Sequence, residues 1–137
     1  MIVSVLAAIV VLGFLILIHE CGHFFVAKRM GVKVLKFSIG FGPRLLGFKR
    51  GETEYVVSAI PFGGFVKMVG EDPEEEIAES DREVAFPSKP VWQRASIVLA
   101  GPGTNIVGAF LLFCLVFVAY GVRMPSEEAK VGGLSPG

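Results

Sequence analysis

Apolar residues gather in two long runs separated by a polar middle. From Ile2 to Ile18 the only strongly polar side chain is Ser4, and apolarity resumes from Cys21 to Ala27. Wound as one helix, residues 2–27 would be about 39 Å long, enough to cross a ~30 Å hydrocarbon core with some tilt. The second run, Ala95–Val122, holds 28 residues without a charge and is also long enough to span. Between them, Val32–Phe41, Tyr55–Ile60 and Phe65–Val69 are rich in Val, Ile, Phe and Tyr, a composition that favours strands. Glycines at 40, 42, 47, 51, 63 and 64 punctuate these runs and predict turns. The pattern predicts an α-helical membrane protein: two transmembrane helices and an intervening cytoplasmic β-hairpin region. The strands are apolar for a cytoplasmic loop, so part of the hairpin is expected to dip into the membrane interface beside the helices.

Composition agrees. Of 137 residues, 53% are hydrophobic and 19% charged, against about 25% charge in an ordinary globular chain. That balance excludes intrinsic disorder, which needs low hydrophobicity and high net charge. Thirteen basic residues cancel thirteen acidic ones, so no charge excess recruits nucleic acid. Two cysteines, Cys21 and Cys114, cannot make a disulfide scaffold. The first run has no Lys or Arg ahead of it and no small-x-small cleavage site after it, so it reads as a span rather than a signal peptide.

Charge changes the picture through its placement. Eleven of the thirteen Lys and Arg lie in residues 28–94, leaving only Arg123 and Lys130 beyond the second run. Basic residues mark the cytoplasmic side, which predicts a multi-pass protein with residues 28–94 in the cytoplasm and both termini outside. Trp92 and Arg94 suit the membrane interface at the start of the second span. The acidic run Glu71–Glu83 reads as a solvated linker. The predicted organisation is therefore a first span at 1–27, a β-rich region at 28–70, an acidic linker and interfacial lead-in at 71–94, a second span at 95–122 and an external tail at 123–137.

The candidate chemistry lies in the first span. His19, Glu20 and His23 fall in the order His-Glu-Cys-Gly-His, and each ionisable group at a helix centre costs about 2.5–3.5 kcal/mol to insert. Residues four apart share a helix face, so His19 and His23 can reach one metal ion. Glu20 lies beside them as a general base for a water on that metal. Imidazole nitrogens suit Zn²⁺, which brings the pKa of such a water to about 7. Cys21 is about 200° around the helix from each histidine and points away, and Cys114 reads as inert packing. Asn105, following Gly101-Pro102-Gly103-Thr104 in the second run, is either an interhelical hydrogen bond or a contact to substrate backbone or to the metal site.

Four segments together are more specific than the H-E-x-x-H spacing alone. They are His19–Phe24, Gly40-Phe41-Gly42-Pro43, Ile60–Met68 with its Pro-Phe-Gly-Gly-Phe core, and Gly101–Asn105. In these segments, and in their order, the chain resembles the N-terminal part of the site-2 protease family of intramembrane zinc metalloproteases, and its bacterial RseP-type members most. The resemblance implies that His19 and His23 hold Zn²⁺ and that Glu20 is the catalytic base. It implies that the region Val32–Val69 is a membrane-reentrant hairpin that handles unwound substrate, with Asn105, Gly63 and Gly64 as substrate-binding positions. It also implies transmembrane protein substrates of the anti-sigma-factor kind, regulated intramembrane proteolysis and a place in the bacterial inner membrane.

The chain departs from the family in one respect. The family takes a third ligand from a Leu-Asp-Gly tripeptide on a later span, whereas the only aspartates here are Asp72 and Asp81. Val131–Gly137 resembles the opening of the family's PDZ domain. The expectation is a fragment of the enzyme, inactive by itself. The competing expectation is a non-catalytic membrane adaptor that binds partner strands or helices. A plain two-helix metal-binding or transport subunit ranks last, because it leaves the Gly-Phe-Gly-Pro and Gly-Pro-x-x-Asn segments unexplained.

Overall fold

The computed structural model describes residues 1–121; the expected external tail and PDZ-like opening lie outside the described residues. Helix α1 runs Ile2–Arg29, strand β1 Val34–Arg50, strand β2 Thr53–Met68 and helix α2 Val91–Tyr120, with two short 3₁₀ turns at Glu79–Val84 and Phe86–Ser88. Both helices are long and apolar enough to cross a membrane. Helix α1 ends with Lys28 and Arg29 in its last turn, where positive charge meets the negative end of the helix dipole. Helix α2 starts four residues earlier than the apolar run, because Pro90 caps it with a backbone already restricted to one φ.

The two or three short strands expected from sequence are two long ones, each sharply bent. Residues 34–39 of β1 pair on one side with the end of β2 (Val34 opposite Met68, Phe37 opposite Val66). On the other side they pair with its beginning (Phe37 opposite Tyr55, Ile39 opposite Val57). Residues 44–50 of β1 then pair with residues 53–58 across the hairpin turn (Phe48 opposite Tyr55, Arg50 opposite Thr53). Across the sheet the order is thus 44–50, 53–58, 34–39, 64–68, built from two strands folded over each other. The bend needs Gly40, whose φ is +86° and whose missing side chain admits the Ile60 carbonyl. A residue with a Cβ avoids that conformation and would strike the neighbouring backbone.

One end of this sheet is packed and the other is open. Val34, Phe37, Val66 and Met68 form a core with Ala27 near the end of α1, Val32 just beyond it and Ile97 of α2. Phe24 reaches in from α1, 5.1 Å from the Phe37 ring and 5.8 Å from Tyr55. Complete burial of an aliphatic side chain such as Ile97 is worth about 1.5–3 kcal/mol. Beyond the bend, Phe41, Leu45, Leu46 and Phe48 are exposed, as are most apolar residues of Ile2–Phe14 and Ile106–Tyr120.

The acidic stretch is more than a solvated linker. Lys33 forms a 2.8 Å ion pair with Asp81, Lys67 pairs with Glu75 at 3.1 Å, and Glu71 accepts the Met68 backbone N–H. Backbone bonds from Lys33 to Val84 and from Phe86 to Val69 tie this strap to the root of the sheet. The hydrogen bond to Asp81 holds the Lys33 ammonium pKa above its ordinary value.

Candidate metal centre

His19 and His23 lie on one face of α1 because they are four residues apart. Their Nε2 atoms are 3.1 Å from each other. His19 is ten residues from Arg29, about 15 Å from that end of the helix. The two rings meet edge to face, with centroids 4.8 Å apart. His23 is oriented from the far side: its Nδ1 is 2.8 Å from the Ile97 carbonyl of α2. A carbonyl only accepts, so Nδ1 carries the proton and Nε2 carries a lone pair. That tautomer is the one a metal ligand needs, and a backbone carbonyl on the opposite nitrogen is the usual way of fixing it.

Helix α2 makes room for the pair with a glycine. A Cβ on Gly101 would lie 2.6 Å from His19 Nε2 and overlap His23 Nε2, so any other residue there would fill the space before both nitrogens. Gly22 does the converse on α1: a Cβ there would meet the Ala100 carbonyl and Thr104 Oγ1 at 2.5 Å. The two glycines let the helices touch at this level. Thr104 completes the junction by donating a hydrogen bond within reach of both Ile18 and Gly101 carbonyls, at 3.1 and 2.9 Å. Pro102 lies inside α2 and has no N–H to give the Val98 carbonyl.

Glu20 faces the sheet. With His23 it lines a cavity of about 420 Å³ closed by Phe65, Val66, Met68, Glu71, Phe86, Ile97 and Val98. Of the two glycines expected at the site, Gly64 is beside Glu20: its missing Cβ would be 3.3 Å from Glu20 Cγ. Gly63 faces elsewhere, into the ring of Phe41. Asn105 reaches the centre with its side-chain amide 3.2 Å from His19 Nδ1. Cys21 packs against the hydrophobic core.

These residues fit a zinc ion as part of its ligand set: two imidazoles, one with its tautomer fixed, and a clearance maintained by Gly101. Among the described residues, no group of three His, Cys, Asp or Glu side chains is placed to hold a metal. Sequence reasoning missed the Ile97 carbonyl, which has no side-chain signal, and the cavity walls Glu71 and Phe86, which lie in the strap. The Gly101 clearance was half visible, since Gly101 belongs to the Gly-Pro-x-x-Asn segment.

The family model described as peptidase family M50 matches residues 7–132. Protease RseP of Yersinia pestis is 47% identical over 134 residues, which cover 97% of this chain and 29% of that protein. Zinc metalloprotease Rip1 of Mycobacterium tuberculosis strain H37Rv is 40% identical over 117 residues, covering 84% of this chain and 29% of that protein. A Clostridium acetobutylicum protein is 45% identical over 133 residues, 97% of this chain and 38% of its own length. The chain thus spans well under half the length of these relatives.

Proposed function

The chain belongs to peptidase family M50, the site-2 protease family of zinc metalloproteases, and on that premise we propose that it carries the zinc-binding and proton-transferring part of an intramembrane peptidase. The observation that carries this reading is the convergence of the His19 and His23 Nε2 atoms, 3.1 Å apart, beside Glu20 and in front of Gly101. His19 and His23 would hold the metal. Zinc, when bound, would supply Lewis acidity, making a water acidic near neutral pH and polarising the peptide carbonyl. Glu20 would accept a proton from the attacking water on a carboxylate oxygen and later return it to the departing amine nitrogen. A third protein ligand, usual for catalytic zinc, is supplied from outside residues 1–121, and residues 1–137 alone have little protease activity.

Substrate geometry follows from the sheet. Among the described residues, 64–68 have a ladder partner only on the side of β1, and Phe65, Val66 and Met68 border the cavity with Glu20 and His23. A substrate segment unwound from helix to strand can pair with that outer edge, which presents its peptide bonds to the metal. Single-pass membrane proteins of the anti-sigma-factor kind suit this entry. In the membrane, α1 and α2 span with residues 28–94 on the cytoplasmic side and the exposed apolar half of the hairpin re-entering the lipid. The location is the bacterial cell membrane. Asn105 and Gly64 border the substrate path, with Gly63 shaping the bend beside it.

The test uses the protein expressed from its full reading frame. Glu20→Gln should lower cleavage of a membrane substrate by about 10²–10⁴-fold while zinc content stays unchanged, and His19→Ala should lose zinc. Full activity in Glu20→Gln would overturn the assignment. A non-catalytic adaptor would have no use for two imidazole nitrogens turned toward each other, which weighs against that second reading. It predicts partner capture indifferent to chelators and to His19→Ala.

A further inference from the structure

His19 is oriented by a different device from His23. The amide nitrogen of Asn105 is 3.2 Å from His19 Nδ1, and the amide oxygen is buried without a partner. Because His23 donates from Nδ1 to Ile97, its Nε2 can only accept. With the Asn105 amide as it stands, Nδ2–H donates to His19 Nδ1. The His19 proton is then on Nε2, directed at His23 Nε2. A continuous relay results, from Asn105 through His19 and His23 to the Ile97 carbonyl. Each of the three protons in the relay has an acceptor, and Asn105 Oδ1 is left out.

That arrangement cannot bind a metal, because His19 Nε2 has no free lone pair. A half-turn of the amide exchanges its oxygen and nitrogen in the same space. Oδ1 then accepts from His19 Nδ1–H, the amide nitrogen takes over the unpaired place, and Nε2 carries a lone pair. Two lone pairs 3.1 Å apart repel unless a cation lies between them. We propose that Asn105 is a positioning residue that switches His19 between these two tautomers, its amide turning as the metal binds. The exchange balances: one proton leaves Nε2 for water and one arrives at Nδ1 from water. The inference rests on the reading of His19 and His23 as zinc ligands, and it gives Asn105 a role toward the ligand besides its place on the substrate path.

Three variants of the full-length protein test it: Asn105→Asp, Asn105→Leu and His19→Ala. Zinc affinity is measured by competition with a chromophoric chelator, and the His19 tautomer by ¹⁵N chemical shifts. Loss of a hydrogen-bond partner behind a ligating histidine weakens metal binding about 10–100-fold, the loss expected for Asn105→Leu. Aspartate only accepts, so Asn105→Asp should bind zinc at least as tightly as the parent. It should also show the Nδ1–H tautomer without zinc, where the parent shows Nε2–H. Parent-like affinity in Asn105→Leu, a loss in Asn105→Asp as large as in Asn105→Leu, or one His19 tautomer in the parent with and without zinc would each overturn the switch. If His19→Ala loses zinc while Asn105→Leu keeps it, the switch fails and the ligand reading stands. If His19→Ala keeps zinc, the ligand reading itself fails.

Discussion

The two ends of the helix pair are made of similar residues and held in different ways. At the site end, α1 and α2 meet through missing side chains and directed bonds: Gly22 against Ala100 and Thr104, Gly101 against both imidazoles, His23 to the Ile97 carbonyl, and Thr104 to the Ile18 carbonyl. At the far end, Ile2–Phe14 and Ile106–Tyr120 turn mostly exposed apolar side chains outward. Among the described residues nothing directional fixes them, and lipid would solvate them as well as a neighbouring helix does. The difference teaches that hydrophobicity makes these helices long and apolar enough to cross a membrane, whereas their register is set within one short stretch around the histidines.

The largest effect that would break the comparison is at Gly101. In Gly101→Val the added methyls would occupy the space before both Nε2 atoms, so zinc content should fall at least about 100-fold, beyond the usual loss from a supporting residue. Equilibrium dialysis measures it, and near-normal zinc would mean that the clearance is not needed. Next comes Gly22→Leu, which overpacks against the Ala100 backbone and should destabilise the protein by about 1–3 kcal/mol, read as a lowered midpoint of unfolding in mixed micelles. Gly103 supplies the contrast, since a Cβ there meets nothing within 4 Å. Gly103→Ala should be neutral or stabilise by up to about 1 kcal/mol through helix propensity. Equal losses in the two glycine variants would erase the distinction between a contact face and an open one.

Smaller still is Thr104→Val, which removes an interhelical hydrogen bond worth about 0.6 kcal/mol and should shift the same midpoint slightly. The smallest effect lies outside the helices, at the Lys33–Asp81 pair. The folded-state pKa of Lys33 is raised, so its contribution is complete below the unfolded-state value and disappears as pH rises through the folded-state value. Holding of the strap should therefore be flat across neutral pH and weaken only in strong alkali. Asp81→Asn should abolish that alkaline step, which amide hydrogen exchange at Lys33 and Phe86 can follow. A step near neutrality would contradict the sign.

Much of the centre was legible because it is local. The His19–His23 spacing specifies a shared face on any helix, and two uncharged runs specify two long apolar helices in any fold. The strands were less legible. Phe48 and Tyr55 stack as hairpin partners, with rings 5.1 Å apart, yet nothing near Phe37 announces that it pairs with both Tyr55 and Val66. Composition also presented Glu71–Glu83 as one charge run, although Asp81 is tied to Lys33, 48 residues away.

By itself the sequence determined which residues could meet a metal: His19 and His23 on one face and Glu20 beside them, by helical periodicity alone. It also determined the two long apolar helices, because span length depends only on the count of apolar residues. Tertiary structure decided what the two imidazoles can do. Which nitrogen carries the proton depends on a carbonyl at Ile97 and an amide at Asn105, 74 and 86 residues away. The room before those nitrogens depends on the close approach of Gly101. Neither the direction of a lone pair nor an empty space is a property of a residue; both arise only where two helices pack.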